Sequence, residues 1–295
     1  MPEIAEVRAE IRTDVVVGMW DFEEVVQAAG DRWSEELDDG TLETIADEEF
    51  AAHLAAQETW AEVTDGDRLT RAFRDLDVAG VVAREHFSCC RSCGVAEIGA
   101  EGKGRGYTFY HWQDAQTAAR GAGLYLAYGP GADGTATAGE IGRLVVEALR
   151  GNGLDAEWDG DPGTRVLVPL IWRRRRLGRM AWHPGQAAPA SPYPLLVTAA
   201  GETERRLSGA AACDLLMRTA PRDGEFVSCE DDSGLVVQMM WEDGPRLWAE
   251  SPDPAARCGR GRYVSLEEAR LAITTLAAEG RNVLPELGEL TEVTW

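Results

Sequence analysis

Apolar residues recur at helical spacing through the first eighty positions. Ile4, Val7 and Ile11 share one helical face, DEEFAAHLAAQETWAEV is built from helix formers, and Leu69, Phe73 and Leu76 repeat the pattern in DRLTRAFRDLD. At Val81 the period changes. VVAREHF, GYTFYHW and GLYLAYG read as short strands, and QDAQTAAR as a short helix. ATAGEIGRLVVEALRGNG reads as an amphipathic helix closed by a glycine. LDAEW and TRVLVPLIW close the region as two strands joined across DGDPG, which predicts a hairpin. The order β–β–α–β–α–β–β describes an α/β or α+β mixed-sheet domain.

The Pro- and Ala-rich run WHPGQAAPASPYP then reads as a linker. Beyond it EFVSCE, GLVVQMMWE and RLWAES predict an antiparallel meander. YVSLEEARLAITTLAAEG predicts one helix, with Ser265 as N-cap and Glu268 completing a capping box. The expected organisation is an acidic helical segment over 1–80 and a mixed-sheet module over 81–180. A linker over 181–198 and a small α+β domain over 199–295 follow.

Charge narrows the partners. The 295 residues carry a formal charge of −22, unevenly spread. Residues 1–80 hold 22 acidic and 6 basic side chains (−16), 81–180 hold 11 and 13 (+2), and 181–295 hold 18 and 10 (−8). Such a chain repels nucleic acid and anionic membranes and suits a basic protein partner. No apolar run is long enough to span a membrane and the N-terminus lacks a signal-peptide pattern, so the expected compartment is the cytoplasm, where thiols are reduced.

That makes HFSCCRSCG the most informative stretch, with three of the chain's six cysteines inside five residues. Cys90-Arg-Ser-Cys93-Gly94 has the spacing of a zinc knuckle, in which Gly94 at positive φ would let backbone N–H groups face the sulfurs. A structural site needs four ligands, so Cys89, His86, His111 or distant residues would complete it. Adjacent Cys89 and Cys90 could share one ion only with strain. In two competing readings, Cys90 and Cys93 are redox thiols, or Cys89 is a small buried hydrophobe in a cysteine-rich turn. The redox reading is weakened because no thioredoxin-like β-α-β context precedes the motif.

The blocks AREHFSCCRSCG, GYTFYHWQD, LYLAYG and GLDAEWDG…RVLVPLIWRRR resemble an uncharacterised bacterial family of unknown function, over about Leu76 to Arg176. The resemblance implies no reaction. It implies that Cys89, Cys90, Cys93, Gly94, His111, Gln113 and Asp114 belong to one module. The C-terminal meander, its helix and LPELGELTEVTW are similar to small immunity proteins of bacterial toxin systems.

Other motifs carry less. GPGADG matches a dinucleotide fingerprint, but TATAG separates it from the next helix, so it reads as a loop. Asp159 and Asp161 read as turn residues, His53 and His183 as unremarkable, and Arg173 to Arg176 as partners of the acidic helices or as solvated residues at a strand end. His111, Gln113 and Asp114 could form a polar catalytic set, but no hydrolase motif supports it. The expected function is non-enzymatic: an acidic interaction module stabilised by a Cys/His zinc site, inhibitor- or immunity-like, with Trp241 and Trp248 as interface anchors. The alternative is an enzyme using the cluster for thiol redox or zinc-dependent hydrolysis. The sequence names no catalytic residue and no oligomeric state.

Overall fold

A computed structural model describes residues 4–101, 103–132, 134–186, 194–200, 205–242 and 246–294. The chain divides into two compact units, Met1–Ala187 and Ala188–Trp295. Both combine helices with a sheet, the expected α+β class.

The first unit opens with α1 (Ile4–Val17), α2 (Phe22–Trp33) and α3 (Asp39–Gln57). Their apolar stripes meet in one core that includes Val7, Ile11, Val25, Leu42 and Phe50. The fourth helix, α4 (Asp65–Val78), behaves differently. Its Leu69, Phe73 and Leu76 join the core of the sheet that follows. Residues 1–80 and 81–187 therefore fall within one unit.

That sheet is β1 (Val81–Arg84), β2 (Gly106–Phe109), β3 (Leu124–Pro130) and β4 (Val166–Val168), in the order β1-β2-β3-β4. β1 and β2 run parallel, and the other neighbours are antiparallel. A parallel pair needs a crossover. Here it carries the seven-residue helix α5 (Arg91–Glu97), so the cysteines stand in a β-α-β unit after all. The sequence hid this because α5 is so short and contains a glycine. Helices α6 (Trp112–Ala119) and α7 (Ala138–Gly151) fall where expected, and the described residues between β3 and α7 form neither helix nor strand, with Thr137 capping α7. The predicted LDAEW–TRVLVPLIW hairpin shrinks to a single bridge, Glu157 to Leu167, because β4 pairs with β3 instead. Asp159 and Asp161 accept hydrogen bonds from the turn backbone at Asp161 and Gly163, as turn residues do.

The arginine run corrects its own prediction most. Arg175 pairs with Asp67 of α4, as the charges suggested. Arg174 and Arg176, however, are buried. Arg176, 1% exposed, donates to the carbonyls of Val15, Trp20 and Met180 and lies over the Phe50 ring. Gln57 of α3 holds the Arg176 backbone on both sides. Residues 173–176 are thus a strap between the N-terminal helices and the sheet, not a solvated strand end.

The two histidines dismissed above also have structural work. His183 is buried and its Nδ1 lies 2.7 Å from Asp47 of α3, so the start of the expected linker is tied down. Residues 187–193 of that linker lie outside the described residues. Buried His53 donates its Nε2–H to the Arg174 carbonyl. Burial, and then the charge of Arg176, lowers its pKa to about 4 despite that bond. Above its ordinary pKa of about 6.5 His53 is neutral in folded and unfolded chains alike. Below that value the unfolded chain takes a proton that the folded one refuses, so stability is expected to fall from about pH 6.5 to about 4. Urea unfolding at pH 7 and pH 5 checks this. His53→Gln, which keeps a donor, should lose the His53 share of that slope, and an unchanged slope would refute the assignment.

The second unit contains β5 (Leu195–Ala199), β6 (Arg205–Leu207), α8 (Gly209–Arg218), β7 (Phe226–Glu230), β8 (Val236–Glu242), β9 (Arg246–Asp253) and β10 (Cys258–Val264). It closes with α9 (Leu266–Glu279), α10 (Leu284–Leu287) and β11 (Thr291–Thr294). The strands form one antiparallel sheet in the order β11-β10-β9-β8-β7-β5-β6. The Ser265–Glu268 capping box is present at α9, but α8 and α10 add two helices to the one predicted.

Candidate metal centre

The cysteine loop is built on a rigid base. Glu85 follows β1 with its side chain only 10% exposed, Oε2 accepting from the Tyr110 hydroxyl at 3.0 Å and from Arg174 Nη1 at 2.7 Å. Burial alone would raise its pKa. The charge and hydrogen bond of Arg174 outweigh that and hold the carboxyl at about 2. The next residue, His86, packs edge-on against Tyr110 and Trp172, and the Phe87 N–H donates to the Tyr110 carbonyl at 2.8 Å. The strap therefore reaches the loop directly, through Trp172 and Arg174.

On that base the backbone is strained. His86 (φ 50°) and Ser88 (φ 63°) both occupy the left-handed region, which residues with a side chain rarely adopt. Such conformations cost about 1–3 kcal/mol each and cluster at functional sites. They lie directly before the stretch in which three thiols gather. The Sγ atoms of Cys89, Cys90 and Cys93 all lie within 4.8 Å of one another. Two sulfurs on one tetrahedral zinc ion, at about 2.3 Å each, are about 3.8 Å apart, so small side-chain rotations bring the three thiols to bonding distance. The group can hold a metal ion.

The loop stands at the surface. Cys89 is exposed, and Cys90 and Cys93 are partly so. Cys89 is therefore not the small buried hydrophobe of the competing reading. Cys90 is the N-cap of α5. Its thiol is pulled below the ordinary range, first by the backbone N–H of Cys93 and then by the Cys93 side chain. Cys93 is pushed up to about 11, chiefly because Cys90 and then Cys89 crowd their sulfurs against it. One thiol thus gives up its proton readily while its neighbour keeps its own. A cation held by these thiols would remove that conflict, because metal binding favours the thiolate form of its ligands.

Gly94 has a different use from the one expected. It lies within α5 and has no positive φ. It is buried against Phe109 of β2, and a Cβ there would come 2.4 Å from the ring edge. Glycine is required for close approach of α5 to the sheet, which sets the height of Cys90 and Cys93 above it.

His86 and His111 lie outside the group of gathered ligands. His111 is the N-cap of α6. Its Nδ1 accepts from the Asp114 N–H and its Nε2 lies 3.0 Å from the Asp114 carboxylate. Asp114 also receives Arg165 at 2.8 Å, and Gln113 is exposed. The suggested polar catalytic set is therefore a helix cap plus a solvated amide. Sequence reading missed Glu85, Tyr110, Trp172 and Arg174 as the loop's support. The only signal for them was an arginine run beside an aromatic residue.

Trp241 is 4% exposed and belongs to the core of the second unit, so it offers no surface to a partner. Trp248 is half-buried, its ring against Tyr263 and its indole N–H on Glu250 at 2.9 Å.

The first unit is thus a mixed-sheet α+β unit that carries a three-thiol cluster on a strapped surface loop. The domain family of unknown function DUF6891 matches residues 1–176, and the chain belongs to that family. The match takes in the N-terminal helices, the cysteine loop and the whole arginine strap. No curated protein and no solved structure matches the chain. No helix among the described residues is long and apolar enough to cross a membrane.

Proposed function

We propose that this protein is a metal-dependent binding module whose DUF6891 unit takes one zinc ion on Cys89, Cys90 and Cys93. The observation that carries this reading is the convergence of three thiols on an exposed loop. Thiolates select soft ions, and zinc is the common one with this ligand type. Among the described residues three protein ligands gather, which leaves a fourth position for a ligand from outside the chain, unlike a closed structural knot. Hydrolysis would also need a base beside a bound water. The gathered group consists of thiols alone, which favours binding over catalysis.

Chain purified without a histidine tag, under reducing conditions, should carry about one zinc by elemental analysis. Cys90→Ser and Cys93→Ser should each lose most of it while keeping the fold by circular dichroism. Metal-free wild type whose three surface thiols titrate freely would sink the reading.

One observation favours a second reading, thiol redox. Cys90 and Cys93 sit in a β-α-β crossover, with the first thiol lowered and the second raised. A Cys90–Cys93 disulfide forming reversibly in protein that binds no zinc would support it.

A further inference from the structure

The second unit carries a surface that the metal site does not explain. Its sheet has one face in the core, with Val227, Cys229, Val237, Met239, Leu247 and Ala249 buried. Helices α8 and α9 pack on this face, as the proximity of Cys213 in α8 to Cys229 in β7 shows. The alternate residues of the same strands face the other way, and no helix of this unit covers them among the described residues. Across that face Phe226, Met240, Trp248 and Tyr263 are successive cross-strand partners on β7, β8, β9 and β10. Met240 is 40% and Tyr263 42% exposed. A row of three aromatics and a methionine is the composition of an interface centre rather than of an ordinary solvated sheet face.

Trp248 lies flat enough to occupy the space a side chain would fill at position 261. A Cβ on Gly261 would come 2.7 Å from the indole. Beside the indole sits Glu250, on the same face two residues along β9. Its carboxylate accepts from Gln238 at 2.6 Å and from the Trp248 indole N–H at 2.9 Å. Both donors are neutral, and among the described residues no ion pair reaches Glu250. A fixed carboxylate at the edge of an indole, held by neutral donors, recognises a cationic side chain that lies on the ring and reaches the carboxylate, by cation–π attraction and by charge together. The chain already shows that the row accepts a guanidinium: its own Arg246 lies over the Tyr263 ring at 4.5 Å and pairs with Glu242.

We propose that this open sheet face binds a basic protein segment, with an arginine seated on Trp248 and Glu250 and its apolar neighbours on Met240 and Phe226. The occupant follows from charge complementarity. The Glu250 carboxylate, held by neutral donors, asks for a cation, and the chain's net −22 attracts a basic protein while repelling nucleic acid. This inference does not depend on the metal reading, since none of its residues belongs to the first unit.

The test uses the full chain and a labelled ten-residue peptide carrying arginine between leucines. A control peptide carries citrulline, which keeps the shape and removes the charge. The arginine peptide should bind at least about tenfold more tightly, the scale of one charged hydrogen-bonded contact. It should also shift the indole N–H resonance of Trp248, assigned by its loss in Trp248→Phe. Glu250→Gln should abolish the preference for arginine over citrulline. Glu43→Gln, an exposed charge on α3, should leave it unchanged. Thermal unfolding of each variant checks the fold; Glu250→Gln keeps an acceptor for the Trp248 indole, and the Gln238 amide can turn over to accept from the new NH2 group.

The proposal is overturned if the arginine peptide fails to bind at millimolar concentration, or binds no better than the citrulline peptide. It is overturned equally if Glu43→Gln weakens binding as much as Glu250→Gln, which would reveal only general attraction to an acidic chain. Self-association of the wild type that Trp248→Ala removes would assign the face to a second copy and overturn it too.

Discussion

Arg174→Met is expected to destabilise the DUF6891 unit by about 3–5 kcal/mol, the usual cost of removing one partner from a buried ion pair. The Glu85 and Arg174 side chains are each 10% exposed, so no water replaces the lost guanidinium. Tyr110 still donates to Glu85, but one neutral hydroxyl does not compensate a buried charge. The double variant Glu85→Leu/Arg174→Met should recover much of the loss, because an apolar pair leaves no charge behind. The pH dependence has a definite sign. In the wild type the folded pKa of Glu85 is held at about 2, against about 4.5 unfolded. Its stabilising contribution is therefore complete above about pH 4.5 and is lost as pH falls toward 2. In Arg174→Met the burial effect is opposed by the weaker influence of Arg74 and His86, so the folded pKa rises above its wild-type value and acidification should relieve part of the defect. Urea unfolding at pH 7 and pH 4 measures both effects. A single variant within about 1 kcal/mol of wild type at pH 7 would show that the pair does not hold the loop.

The sequence announced some of this and concealed the rest for identifiable reasons. Helices α7 and α9 were legible because their amphipathic stripes and caps are local: Thr137 with Glu140, and Ser265 with Glu268. The cysteine cluster was legible because three ligands within five residues are an unlikely accident of composition. Its completion by His86 or His111 was not, since sequence spacing cannot reveal that His111 is spent on capping α6 or that His86 is wedged between two rings. The arginine strap was misread for a similar reason. Charge bookkeeping pairs arginine with carboxylates, whereas Arg176 is satisfied largely by backbone carbonyls some 155 residues or more distant, in and after α1. Carbonyls leave no mark in a sequence. Gly94 stands out in the sequence, but the physical reason for it is Phe109 of β2 rather than its own φ.

That last contact gives a sharp test of how the site is held. Alanine for glycine inside a helix is worth about 1 kcal/mol in favour of alanine when nothing else changes. At Gly94 something else must change. The new Cβ would meet Phe109 Cε2 at 2.4 Å and Cζ at 2.6 Å, on a ring buried between β2 and its neighbours. Either the ring leaves its place or α5 lifts from the sheet. Overpacking of this kind costs about 1–3 kcal/mol, enough to cancel and outweigh the helix preference. If α5 lifts, Cys90 at its N-cap and Cys93 in its first turn move together, while Cys89, on the loop before it, stays with the His86–Tyr110 base. The three sulfurs then no longer meet, and zinc affinity should fall by roughly 10–100-fold, the usual effect of disturbing what orients a metal's ligands. Gly94→Ala/Phe109→Leu should restore affinity before it restores full stability, since the smaller side chain makes room for the Cβ but leaves the core underfilled. Competition with a chromophoric chelator measures affinity, and thermal unfolding without metal measures stability. A Gly94→Ala chain at least as stable as wild type, with unchanged zinc affinity, would show that the approach of α5 to Phe109 does not set the site.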